Sequence, residues 1–249
     1  MMNPQLPLGC LFGVLAGLAT TGCLIAPDDE VSVPEEVALK PDALTSNALT
    51  SNALTSNALT SNALTDPNAR ELLTYIVSCA LPAGQQVSYV SEGTSYTLSG
   101  SLGLAPQWGE ADGSCDESCQ QWVSACVLSR VDYLGAPLSI SVRGQNPGLV
   151  TGPAEQAQYT HREAAYYGNV FSQPQQFFGC ISPGLVTDPR VCGPGPLYQC
   201  FIHFAGTCKQ VCDPALSDGS FPNCRAPVPG EGQGFTGPIY HESVTVFLH

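Results

Sequence analysis

Cysteine placement constrains this chain more than any other feature. Twelve cysteines occur in 249 residues. Cys10 and Cys23 stand near the start. The other ten are Cys79, Cys115, Cys119, Cys126, Cys180, Cys192, Cys200, Cys208, Cys212 and Cys224. So many thiols do not suit a reducing cytosol unless they hold metal. Zinc sites pair cysteines two to four residues apart and complete the set with Cys or His. Cys115-x₃-Cys119 and Cys208-x₃-Cys212 fit that spacing loosely, and His203 is the one histidine close by. Disulfides are the stronger expectation, with neither metal nor cofactor. Ten is an even number and allows up to five bonds, but spacing does not fix their pairing.

The N-terminal stretch explains how such a chain meets an oxidising compartment. Leu6 to Ala19 reads LPLGCLFGVLAGLA, uncharged and apolar. Its length suits the apolar region of an export signal and falls short of the roughly 20 residues that span a bilayer. Ala19-Thr20-Thr21-Gly22-Cys23 follows and resembles the lipobox of bacterial lipoproteins. The resemblance implies a signal peptide over 1–22 and lipidation of Cys23 as the mature N-terminus. Thr20 stands where that family usually has Leu, and the leading MMNPQ has no Lys or Arg. Leu24 after the cysteine implies an outer-membrane or cell-surface lipoprotein, with plain secretion as the alternative.

Residues 23–65 are expected to form a tether. An acidic, Pro-containing stretch comes first. A five-residue unit then repeats from Ala43-Leu44-Thr45-Ser46-Asn47 to Ala63-Leu64-Thr65. On a helix, successive leucines would drift by about 140° and make no stripe. On a strand, an odd period sends them to opposite faces. A pentapeptide β-helix is the ordered alternative, but so few coils could bury little core. A flexible spacer fits better.

Residues 66–249 carry the folding signals, which predict a small α+β domain of about three helices and short antiparallel strands. Asp66-Pro67 opens a helix that Pro82 and Gly84 end. Gln86 to Ser91 and Ser95 to Leu102 predict a hairpin around Glu92-Gly93-Thr94. Ser114-Cys115-Asp116-Glu117 reads as a capping box for a helix running to Leu134. On that helix Cys115, Cys119 and Cys126 would fall within about 40° of each other. Disulfide geometry disfavours a bond between cysteines four apart on one helix. Most of the helix cysteines are therefore expected to pair with the 180–224 segment. Thr160-His161-Arg162-Glu163 predicts a short helix through Tyr167. Pro137 to Arg143, Gln176 to Ile181 and Tyr240 to Leu248 predict strands. The stretch 182–238, rich in Gly and Pro, needs cross-links to order itself.

Several segments carry a wider resemblance. They are the N-A-L repeat, Tyr75-Ile76-Val77-Ser78-Cys79-Ala80-Leu81-Pro82-Ala83-Gly84, Gly103-Leu104-Ala105-Pro106-Gln107-Trp108, Trp122-Val123-Ser124-Ala125-Cys126, and Glu163-Ala164-Ala165-Tyr166-Tyr167-Gly168-Asn169-Val170-Phe171. Together they resemble a family of cysteine-rich exported proteins and lipoproteins of myxobacteria. The resemblance implies exported location and cysteine-rich architecture. It implies no activity and no catalytic residues.

The formal charge of −13 and the lack of any Lys or Arg run exclude a phosphate-neutralising surface, hence nucleic acid. No G-x-S-x-G, H-E-x-x-H or phosphate loop occurs. His161 beside Glu163 is the one acid–base pair that would suit an extracytoplasmic hydrolase. His241-Glu242 is weaker. Glu110, Asp112, Asp116 and Glu117 could gather oxygen ligands for calcium but lack EF-hand spacing, and acids at a helix start already suit its dipole. The leading expectation is a non-enzymatic envelope module. It is held to the membrane by a lipid anchor and serves structure or the binding of an extracellular partner.

Overall fold

The computed structural model describes residues 44–45, 67–110, 113–132, 138–183, 202–228 and 236–249. All lie in the unit Glu36–His249. The signal-like stretch, Cys23, the repeat beyond Thr45, Asp112, Cys192 and Cys200 lie outside the described residues.

Strand β1 (Leu44–Thr45) belongs to the first repeat unit. Helix α1 (Pro67–Ala80) starts on its proline, as the Asp-Pro signal predicts, and buries Leu72, Ile76, Cys79 and Ala80. Strands β2 (Gln86–Ser91) and β3 (Thr94–Ser99) make the expected hairpin. Glu92 and Gly93 both take positive φ, at 50° and 77°, the turn whose twist matches the strands.

Helix α2 (Glu117–Ser129) follows. Its N-cap is Asp116, whose carboxylate accepts from the Cys119 N–H at 2.9 Å. Two expectations about this helix are corrected. It stops at Ser129 and not near Leu134, because the chain turns at Arg130 into strand β4 (Val131–Asp132), which pairs in parallel with β1. Cys115 also lies ahead of the cap and outside the helix. It is thus free of the helical i, i+4 geometry and bonds Cys119, with Cα atoms 5.2 Å apart.

Strand β5 (Ser141–Arg143), helix α3 (Pro153–Gln158), β6 (His161–Asn169), β7 (Gln176–Ile181), β8 (His203–Thr207), helix α4 (Cys208–Val211), β9 (Cys224–Arg225), β10 (Ile239–Tyr240) and β11 (Ser243–Leu248) complete the order. Five of the strands form one sheet in the order β5-β11-β6-β7-β8. Its pairs are antiparallel except β7–β8, which is parallel. A disulfide-rich α+β domain is what these residues build.

The predicted helix over 160–167 is instead β6, the middle strand of that sheet. Covered on both faces, its central Ala164 to Tyr167 run is apolar at successive positions and shows no alternation. Ala164 and Tyr166 enter the core beneath the helices, whereas Ala165 and Tyr167 enter the core beneath the cysteine-rich cover. All four are fully buried. The Thr160 to Glu163 pattern mimics a capping box in residue type alone: the Glu163 carbonyl accepts from Ser182 in strand-edge fashion, at 2.8 Å. Gly168 belongs to the strand too, at φ +128°, where a Cβ would meet the Gln176 carbonyl oxygen at 2.3 Å.

On one face, α2 lies across β6 and β11, with α1 behind it. Ser124 on α2 accepts from the Val170 N–H at 3.0 Å, and Gln120 accepts from the Asn169 amide at 3.1 Å. The Cys79–Cys126 bond joins α1 to α2. The expectation that the helix cysteines reach the 180–224 segment is therefore corrected. Those cysteines face the helix layer, and the sheet separates them from the second core. The opposite face is covered by residues 207–226, anchored where the Phe221 N–H donates to Thr245 Oγ1 on β11 at 2.9 Å.

Candidate functional site

The strongest concentration of chemically special side chains lies in that cover. Cys180 points from β7 into the second core. Opposite it, Thr207 starts α4, and the Gln210 side chain accepts from its backbone N–H at 3.4 Å and from its hydroxyl at 2.7 Å. This local bonding sets Cys208 at the first helical position and Cys212 one turn later. Cys180 bonds Cys208 and Cys212 bonds Cys224, with Cα separations of 4.9 and 4.0 Å. The two bonds touch: Cys180 Sγ lies 3.6 Å from Cys212 Sγ. Cys180, Cys208 and Cys224 are wholly buried, while Cys212 is half-buried.

Three of these sulfurs, on Cys180, Cys208 and Cys212, lie within 4.8 Å of one another. In the oxidised protein they are disulfide sulfurs and not thiolates, so they offer exchange chemistry before metal ligation. Cys115-x₃-Cys119, the other zinc-like spacing, is also a disulfide.

Aromatic rings wall the cluster. Tyr167 lies 5.7 Å from Phe178 and 5.8 Å from Tyr240, measured between ring centres. The Tyr167 hydroxyl donates to the Arg225 carbonyl at 2.8 Å, and burial pushes its pKa far above the ordinary phenol value. Burial also raises Tyr240, with the Glu117 charge adding to the effect. The Tyr240 hydroxyl donates to the Gln176 side-chain oxygen. Along one rim, Arg143 stacks over Phe247 at 3.7 Å and Arg162 over Phe221 at 4.2 Å. Arg143 also donates to the carbonyls of Tyr159 and Asp218, at 2.7 and 2.9 Å.

The sequence candidates fall in separate places. His161 is exposed at the first position of β6, and Glu163 is 1% exposed. The β6–β11 register shifts there, from Ala164 opposite Val246 to Arg162 opposite Phe247, and leaves Glu163 as a bulge residue. His241 and Glu242 diverge. The His241 Nδ1 lies 2.7 Å from Asn223 Oδ1, while Glu242 accepts from Ser118 at 2.6 Å. Asn223 in turn donates to Asp213 at 2.7 Å, which makes an exposed Asp213–Asn223–His241 chain at φ +52° for Asn223. Its members are far apart in sequence, and no spacing signal marks them. Of the calcium candidates, Asp116 caps α2 and Glu117 accepts from Gln121 at 3.1 Å.

The hairpin is the second notable surface. One face lies toward α1: Leu98 is buried, and Arg70 stacks on Tyr96 at 5.5 Å. The other face shows Gln86, Ser88, Val90, Ser95, Thr97 and Ser99, all exposed. Ser88 and Thr97 share a hydrogen bond at 3.1 Å, and Val90 is 64% exposed. No helix among the described residues is long and apolar enough to cross a membrane. Protein-family models, curated proteins and solved structures contain no match to this chain.

Proposed function

We propose that this chain is a non-enzymatic lipoprotein of the cell envelope, whose disulfide-stapled domain holds out a hairpin to bind an extracellular or envelope partner. The observation that carries the reading is the β2–β3 hairpin. It stands apart from the five-stranded sheet, its inner face rests on α1, and its outer face pairs hydroxyls with the exposed Val90. A rigid, half-polar face loses little side-chain entropy on contact, which favours binding. The Cys23 lipid anchor and the stretch between it and β1 would hold that face clear of the membrane, in keeping with the myxobacterial resemblance.

Two experiments test the reading. A photo-crosslinker at position 90 on intact cells should give a discrete adduct that one at Leu216, another exposed apolar position, does not give. Equal labelling from both positions would remove the hairpin from the proposal. Cys23→Ser should release the protein from the membrane fraction. Retention there would remove the lipid anchor.

A further inference from the structure

The geometry points to Cys212–Cys224 as a site of attack for an external dithiol, with Cys180–Cys208 as the internal acceptor that rearranges in response. Three observations carry this. The two disulfides touch at 3.6 Å between Cys180 Sγ and Cys212 Sγ. Cys212 is the one residue of the four that is not wholly buried. Cys180, the sulfur that Cys212 faces, belongs to β7 inside the sheet, while Cys212 ends a single helical turn on the cover. Exchange requires a thiolate to reach a disulfide sulfur; the inner contact is in place at 3.6 Å, and Cys212 is the partly exposed residue through which an outer thiolate would enter.

The steps balance. One thiolate of the dithiol attacks Cys212 Sγ. A mixed disulfide forms there, and Cys224 leaves as a thiolate that takes a proton. The second thiolate of the reagent attacks its own sulfur in the mixed disulfide, closes a cyclic disulfide and releases the Cys212 thiolate. That thiolate attacks Cys180 Sγ. A Cys180–Cys212 bond forms, the Cys180–Cys208 bond breaks, and the Cys208 thiolate takes a proton. The dithiol is oxidised by two electrons, and the protein exchanges two disulfides for one disulfide and two thiols. The outcome is chemical memory: the β7–α4 staple moves one turn along α4, from Cys208 to Cys212, and β9 loses its covalent tie.

The test uses the full oxidised chain, with dithiothreitol as the dithiol at one equivalent. Alkylation and peptide mapping follow. The expected map has alkylated Cys208 and Cys224 and a Cys180–Cys212 linked peptide. Alkylated Cys212 and Cys224 with Cys180–Cys208 intact would overturn the relay. So would first opening of Cys79–Cys126. A Cys212→Ser/Cys224→Ser variant adds a rate. Reduction of its Cys180–Cys208 bond should slow by at least about tenfold, because the internal nucleophile is gone. An unchanged rate in a folded variant would overturn the proposal, and the wild-type map decides alone if the variant does not fold.

Discussion

Replacing Cys79 and Cys126 with alanine should destabilise the domain more than removing any other disulfide described. The bond closes a loop of 47 residues, and loop-closure entropy makes that worth about 4 kcal/mol. The same relation gives about 3.6 kcal/mol for Cys180–Cys208, with separation 28, and about 2.8 kcal/mol for Cys212–Cys224, with separation 12. It gives about 1.9 kcal/mol for Cys115–Cys119, with separation 4. Each sulfur of the 79–126 pair is wholly buried, so alanine also leaves a small void between the helices. The assay is urea unfolding of the four double-alanine variants without reductant, followed by far-UV circular dichroism. The 79–126 variant should lose about 2 kcal/mol more than the 115–119 variant. Equal losses, or the reverse order, would show that loop closure does not govern how this fold is stapled.

Other predictions follow from single contacts. Gly168→Ala should cost more than about 3 kcal/mol, read as a fall in melting temperature, since its Cβ would strike the Gln176 carbonyl at 2.3 Å from a φ of +128°. Arg143→Met should cost about 2–3 kcal/mol by removing the donor to the Tyr159 and Asp218 carbonyls and unstacking Phe247. Tyr167→Phe should cost about 1 kcal/mol at neutral pH through the lost bond to Arg225. Above the ordinary phenol pKa the unfolded chain releases the Tyr167 proton while the folded chain keeps it, so wild-type stability falls as pH rises. By pH ~11 that fall is about 1.4 kcal/mol, enough to erase the deficit of the variant. Unfolding curves at pH 7 and 11 that keep a constant gap would refute it.

Legibility in the sequence followed local signals. Asp66-Pro67 marked α1, and Glu92-Gly93 marked the hairpin, because caps and turns depend on adjacent residues. Gln176 to Ile181 read correctly as a strand. The Glu163 to Asn169 run misled for a tertiary reason. With cores on both faces, its Ala164 to Tyr167 centre is apolar at successive positions, so its period-2 signature disappears. Cysteine pairing misled for a similar reason. Spacing placed three cysteines on one helix face, but Cys115 lies ahead of the Asp116 cap, and Cys126 faces α1 and not the sheet's far side. The contact between the two cover disulfides joins β7 to a turn of helix 32 residues later. Nothing local encodes it.

Each face of the five-stranded sheet carries its own covalent staples. Peptide mapping of the full chain under non-reducing conditions tests it most directly. Cys79–Cys126, Cys115–Cys119, Cys180–Cys208 and Cys212–Cys224 should appear as linked peptides. A link from Cys79, Cys115, Cys119 or Cys126 to any of Cys180, Cys208, Cys212 and Cys224 would cross the sheet and rule out separate stapling of its two faces.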